Sequence, residues 1–306
     1  MRQRRLRLLL SIPIGIVFFL APARPPAAQE KLQAEPEPTY RGSGPAAFRH
    51  PGIDTDIDLF INHWRNSPPR AGHGGLVERD ILTRGDPRQP AAKGAVLKYI
   101  SSYRYALLRP GGSTAPFKSD KLQTFFYVMT GKGRVEAGRK RAEVDEGTAV
   151  FVPAACEFRW LDGRDTPLEL VVVEEEIGPG FAPSREISVG AYHDSAPIVG
   201  AHWAHIAHPF VYDIEPRFFN PMGFIVVSID DFDAAQPHVH PPGAEEIWLQ
   251  LKGRSLLFFG NRLLRQEPGE AFLVPPNSRV PHSSINAGGE PQLWLFMGCR
   301  YPRDKS

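Results

Sequence analysis

The stretch from Pro237 to Gly253 carries His238 and His240 two positions apart, then the acidic pair Glu245 and Glu246. His282 follows beyond a second turn marked by Gly269 and Pro275. Alternate side chains of a β-strand share a face, so His238 and His240 would point the same way. Their Cα atoms would lie roughly 6–7 Å apart, close enough to converge on one ion. The same alternation lets only one of Glu245 and Glu246 face that ion; Glu246 is the expected ligand and Glu245 the alternative. Three imidazoles and a carboxylate suit one divalent transition metal (Mn, Fe, Ni, Zn or Cu) better than magnesium or calcium, which prefer oxygen shells. Four protein ligands on a five- or six-coordinate ion leave room for water, substrate or dioxygen, unlike a closed structural site. Trp248 and Gln250 continue the inward face that Glu246 opens. With Asn286 they are the expected pocket residues, although the first two also suit a barrel core and Asn286 a turn.

Such a site needs strands to hold it, and the chain supplies them. Segments 103–108, 125–129, 149–153 and 168–174 are short, apolar or alternating, and separated by Gly, Pro and Asp. The pattern returns at 224–229, 247–251, 255–259, 271–275 and 292–297. Gly131, Gly147 and Pro153 recur as Gly253, Gly269 and Pro275, each 122 positions later, which is the mark of a duplicated domain. Subtracting 122 from His238, His240, Glu246 and His282 gives Pro116, Lys118, Thr124 and Trp160, so no ligand survives in the first copy. That copy is expected to be packed by side chains such as Trp160 and Phe126, since a barrel of this size needs no metal when its interior is full.

On these motifs the sequence resembles the cupin superfamily. His238, His240, Glu246 and Gly253 match its first motif; Gly269, Pro275, His282 and Asn286 match its second. The resemblance covers roughly 96–176 and 220–302, with both motifs complete only in the latter. It implies an all-β protein of two tandem double-stranded β-helix (jelly-roll) barrels, a bicupin with a degenerate N-terminal cupin. Two departures stand out. Five residues separate His240 from Glu246, where three or four are commoner in the family, and the loop between Pro275 and His282 is longer. The resemblance further implies pairing of barrel edges in a homodimer.

The start of the chain is different in kind. Arg2, Arg4, Arg5 and Arg7 precede an apolar run over 8–21 and a small, proline-rich segment ending at Ala28, the layout of a secretory signal peptide. The run is short for a membrane span of about 20 residues, and Pro13 and Gly15 interrupt it. A periplasmic or secreted protein is therefore expected, with a membrane anchor as the alternative. The formal charge of +2 depends on this segment: removing residues 1–28 leaves 31 basic against 34 acidic residues, near −3. No basic stripe is present, so nucleic acid is not an expected partner. Cys156 and Cys299 have non-equivalent places in the two copies and are expected to be buried thiols.

The expected organisation is a signal peptide over 1–28, a tether and N-terminal arm over 29–95, the degenerate cupin over 96–176, a connector over 177–219 and the metal-binding cupin over 220–302. Within the arm, 56–66 has a helical pattern capped by Thr55, and 76–83 reads as a strand. The connector carries His202, His205 and His208. Three-residue steps put successive members on opposite faces of a strand, so they are expected to be a partly exposed connector and no ligand set. The function these features imply is a metal-dependent enzyme on a small molecule: a dioxygenase, decarboxylase, hydrolase or isomerase. The alternative is a non-catalytic protein that binds a small molecule or the metal itself. A second titratable group beside the ion would favour the enzyme, and in the second barrel only Glu245 and Glu270 suggest themselves.

Overall fold

The computed structural model describes residues 55–163, 166–210, 217–220, 222–240, 244–277 and 279–300. The expected signal peptide and most of the tether, and the turn after His240 at 241–243, lie outside the described residues. The helical elements that lie wholly within the described residues are three 3-10 turns, Ile57–Leu59, Trp64–Asn66 and Tyr192–Asp194. The strands preceding the first copy's repeat are β1 (Ile61–His63), β2 (Arg70–Gly72), β3 (Leu76–Arg84), β4 (Ala95–Leu97) and β5 (Ser102–Leu108). There follow β6 (Leu122–Thr130), β7 (Lys132–Ala137), β8 (Lys140–Asp145), β9 (Thr148–Val152), β10 (Phe158–Asp162), β11 (Leu168–Glu176) and β12 (Ser188–Ala191). The remainder are β13 (Ile198–Ala201), β14 (His205–Pro209), β15 (Met222–Ile229), β16 (Ala244–Lys252), β17 (Ser255–Phe259), β18 (Arg262–Gln266), β19 (Glu270–Leu273), β20 (His282–Asn286) and β21 (Gln292–Arg300).

These strands build two jelly rolls, each a large sheet facing a small one. The first has the order β12-β9-β6-β11-β5-β3-β2, with β4 beside β3, against β10-β7-β8. The second has β1-β19-β16-β21-β15-β14-β13 against β18-β17-β20. The duplicated glycines do the same work in both copies. Gly131 and Gly253 have φ of 91° and 74°, and Gly147 and Gly269 have 93° and 90°, values that glycine adopts without a Cβ penalty. The expected boundaries at 96 and 177–219 do not follow the sheets: β2 and β3 belong to the first large sheet, and β13 and β14 to the second.

The helical expectation for 56–66 gives way to a single 3-10 turn capped by Asp56, then strand β1 and a second turn. Tertiary pairing decides this: Ile61 and Asn62 align with Phe272 and Ala271 on β19, closing the edge of the second barrel's sheet. Trp64 then stacks on Tyr105 of β5 in the first barrel at 4.4 Å, so the arm touches both barrels.

The two large sheets share one apolar core, with Phe125 stacked on Phe224 at 3.8 Å. Each barrel also sends a buried carboxylate to the backbone that leads into the other's sheet. Glu245 accepts hydrogen bonds from the N–H groups of Lys98, Tyr99 and Ile100. Glu175 accepts from those of Phe219 and Asn220 at 2.6 and 3.0 Å. Cys299 is a buried thiol as expected; Cys156 is only half-buried, and both are free.

Candidate metal centre

Strand pairing assembles the site. His238 bridges His282 at the start of β20, with N–H···O contacts of 3.2 and 3.0 Å in both directions. Glu246 lies on β16, where its carbonyl accepts from Val274 at 2.8 Å. The structure brings His238, His240, Glu246 and His282 together, one donor atom from each lying within 4.8 Å of all the others. His240 Nε2 is 2.6 Å from Glu246 Oε2, and His282 Nε2 is 3.2 Å from Oε1. Glu246 and His282 form a buried floor, while His238 and His240 are half-buried on the open side.

The surroundings suit a cation. His238 Nδ1 donates to the Gln236 carbonyl at 2.9 Å, which leaves the Nε2 lone pair for the ion. Burial opposes the charged form of Glu246, yet hydrogen bonds from His240 and His282 hold its carboxyl well below the usual range. Burial, helped by His282 alongside, pushes His238 down to about 4, so its imidazole is neutral and able to coordinate at neutral pH. Trp248 Nε1 donates to Glu246 Oε1 at 2.7 Å and fixes the carboxylate's orientation. The choice between the two acids is made by alternation: Glu246 joins the histidines, and Glu245 clamps the other barrel.

The other expected pocket residues divide. Trp248 lines the site, its ring 5.2 Å from His282. Gln250 does not touch it: fully buried, it donates to the carbonyls of Lys252 and Gly253 and accepts from Gln292. Asn286 closes a turn, donating to the carbonyls of Ile229 and Glu290. The connector histidines require a correction. His205 and His208 lie on strand β14, with His205 buried against Trp294 and Trp248, and burial lowers it to about 3. His202, at the tip of the β13–β14 hairpin, stacks on His238 with ring centroids 4.1 Å apart. Its three-residue spacing from His205 suits a strand poorly, and only the hairpin tip explains how it reaches the site.

Strand register also revises the comparison between copies. The offset is 122 for β6 and β16, but 124 for β11 and β21 and 121 for β5 and β15. The bridge Phe117–Phe158 then matches His238–His282. The positions equivalent to the four ligands are Phe117, Ser119, Thr124 and Phe158; a constant offset misplaced all but Thr124. Both departures noted in the motifs are these insertions, one residue before Glu246 and two before His282.

In the first barrel this space is filled. Trp160 and Phe126 are buried and meet edge to face at 5.1 Å, as expected. By register through β3 and β14, His73 occupies the place of His202, and the two have φ of 42° and 46°. The His73 ring lies 4.9, 5.3 and 6.1 Å from Phe117, Phe126 and Phe158. Its Nδ1 meets Glu78, and its Nε2 lies 3.2 Å from Glu174 Oε1; Arg104 Nη1 adds a contact of 2.5 Å to Glu174. A buried ion-pair network thus stands beside the positions equivalent to the ligands, with His73 against Phe117 and Phe158. Sequence reasoning missed it because Glu78 and Glu174 sit on strands that meet only through β5.

A cupin-domain family model matches residues 104–174, the first barrel from β5 to β11. No curated protein matches the sequence. Among solved structures, a Pseudomonas aeruginosa protein described as glyoxylate-induced superposes with a TM-score of 0.63 at 13% identity, covering 88% of this chain and 98% of its own. Vicilin from Corylus avellana gives 0.61 at 10% identity, with coverage of 79% and 85%. Bacillus subtilis oxalate decarboxylase, a protein with Mn(II) centres, gives 0.59 at 12% identity, with coverage of 82% and 80%. The chain therefore carries a cupin domain in its first barrel and has, across both barrels, the two-barrel fold of these neighbours, a bicupin fold.

Proposed function

We propose that the second barrel binds one divalent transition metal through His238, His240, Glu246 and His282, and that the protein is a metal-dependent enzyme acting on a small molecule. The observation that carries this reading is the convergence of three imidazoles and one carboxylate within 4.8 Å of one another, Glu246 and His282 buried and His238 and His240 half-buried. When bound, the ion would polarise an oxygen-donor substrate, or hold substrate and dioxygen together. Glu246 supplies one negative charge toward the divalent ion and is oriented by Trp248. Trp248, Trp294 and Phe272 wall the floor with apolar surface and exclude water from it.

The manganese centres of a structural neighbour support a transition metal of this kind, while the equal likeness to vicilin means that fold alone does not select an enzyme. The arrangement is compatible with dioxygenase, decarboxylase, hydrolase or isomerase chemistry. The basic and apolar opening of the sequence supports export to the periplasm or beyond. The test is turnover by protein loaded with Mn(II), Fe(II) or Zn(II) on a panel of small organic acids and phenols, recording oxygen uptake and carbon dioxide release. Turnover lost in Glu246→Gln supports the reading; saturable binding without turnover on any metal makes the protein a binder.

A further inference from the structure

The tip of the β13–β14 hairpin meets the metal centre through one residue, His202. Its imidazole lies flat on that of His238, with ring centroids 4.1 Å apart and planes 7° from parallel. The other ligand rings meet His238 at steeper angles, His282 at 53° and His240 at 80°. The backbone ties the same two residues together. Gln236 donates its N–H to the His202 carbonyl at 3.0 Å, and its own carbonyl takes His238 Nδ1 at 2.9 Å. Trp203, next along the tip, bridges Ala235. The segment that delivers His238 is therefore pinned to the hairpin at Ala235, at Gln236 and through the His238 ring itself.

The first barrel shows what a tip histidine does where there are no ligands. His73, the counterpart of His202, is held by Glu78 and Glu174. Strand register carries Glu78 to Ala207 and Glu174 to Gly298, so neither acid has a counterpart in the second barrel. The histidine remains although its anions are gone. Its ring contacts are the face of His238 and, edge on, His205 at 5.2 Å. His202 is exposed, so burial contributes little to keeping a ring there. The contact that accounts for it is the one with the ligand.

We infer that His202 is a positioning residue for the metal site: its ring, stacked on His238, holds that imidazole at the tilt that leaves Nε2 for the ion. This rests on the metal reading above. His238 is half-buried, unlike Glu246 and His282, and the terminal torsion of a histidine is broad, so its ring tilts unless something holds it. The Gln236 carbonyl fixes the tautomer, and the parallel face of His202 closes one side of the tilt. Groups one step out from the ion typically change metal affinity by about 10–100-fold, and a single stacked contact belongs at the lower end.

The test compares full-length wild type with His202→Ala, His202→Leu and His202→Phe. Zn(II) affinity is read by competition with a chromophoric chelator, and the Cu(II)-loaded proteins by electron paramagnetic resonance. His202→Ala and His202→Leu should bind Zn(II) about tenfold more weakly and shift the Cu(II) hyperfine splitting. His202→Phe keeps a flat ring without a nitrogen; it should stay within about twofold of wild type and keep the wild-type spectrum. The Tm of the metal-free protein should stay within about 2 °C of wild type in all three variants. Wild-type affinity and spectrum in both His202→Ala and His202→Leu overturn this inference alone. So does a His202→Phe as weak as His202→Ala, because a nitrogen of His202 and not its flat face would then be acting. A loss of affinity that tracks a fall in metal-free Tm across the variants makes the role merely structural and overturns it equally. A wild type that takes up neither Zn(II) nor Cu(II) overturns both this and the reading it rests on.

Discussion

Replacing His73 by alanine tests the claim that the first barrel is held by a buried ionic plug. His73 is 3% exposed and lies between Glu78, itself fully buried, and Glu174. Removing one partner of a buried pair typically costs about 3–5 kcal/mol, because the other charge is left in a poor solvent. Arg104 remains 2.5 Å from Glu174 and 3.4 Å from Glu78, which places the expected loss at the lower end, about 3 kcal/mol. For a chain of 306 residues that corresponds to a fall in Tm of about 5 °C. The pH dependence follows from the partners. Burial opposes charge on both groups, but Glu78 and Glu174 raise His73 above its usual 6.5, while His73, Arg104 and Ser102 hold Glu174 down at about 2. The imidazole's contribution is complete below its unfolded value and is lost as pH rises through the raised one. The Glu174 contribution is present above 4.5 and is lost as pH falls toward 2. The difference in Tm between wild type and His73→Ala should therefore be greatest near pH 5–6 and shrink at pH 9. His202→Ala, at the equivalent but exposed position, should cost less than about 1 kcal/mol. Differential scanning calorimetry across that pH range decides the matter. A fall below 2 °C, or one that is independent of pH, would refute the plug.

Three further outcomes follow. Burial pushes Glu245 up to about 7 despite the three N–H donors around it, so its ionisation costs stability as pH rises from 4.5 to 7, by about 3 kcal/mol. Glu245→Gln should flatten that decline, seen as a smaller drop in Tm between pH 5 and pH 8, and should leave metal content unchanged. Gly131→Ala should destabilise by at least about 2 kcal/mol, because its Cβ would stand 2.3 Å from the Pro167 carbonyl oxygen at a φ of 91°; urea midpoints check it. Trp248→Phe should keep the apolar wall but lose the hydrogen bond to Glu246, weakening metal affinity by about tenfold in a competitive chelator titration.

The fold was legible because each local signal had a nearby cause. Turn glycines with positive φ, alternating strands and the 122-residue recurrence all report geometry fixed within a few residues. The candidate ligands were legible for the same reason: one β-bridge joins His238 to His282, and one strand alternation separates Glu246 from Glu245. What the sequence hid depended on distant pairing. Segment 56–66 has a helical pattern that β19 overrides by accepting it as an edge strand. Gln250 and Asn286 carry the right residue types for a pocket, but their partners Gln292, Ile229 and Glu290 draw them into turns and strand contacts. His202 reads as part of a connector, and His73 carries no signal in the sequence, because only the hairpin tips bring them beside the ligand positions. The equivalences for His238, His240 and His282 slipped by one or two residues because the insertions lie outside the span from Gly253 to Pro275 whose landmarks define the repeat.

The most direct measurement is the metal stoichiometry of purified protein after equilibration with Mn(II), Fe(II), Ni(II), Cu(II) or Zn(II) and gel filtration, read by inductively coupled plasma mass spectrometry. One ion per wild-type chain is expected, falling to a small fraction in His282→Ala and Glu246→Gln while Glu245→Gln and His73→Ala keep it. A full ion in both ligand variants, or none in wild type with any of the five metals, would contradict the account.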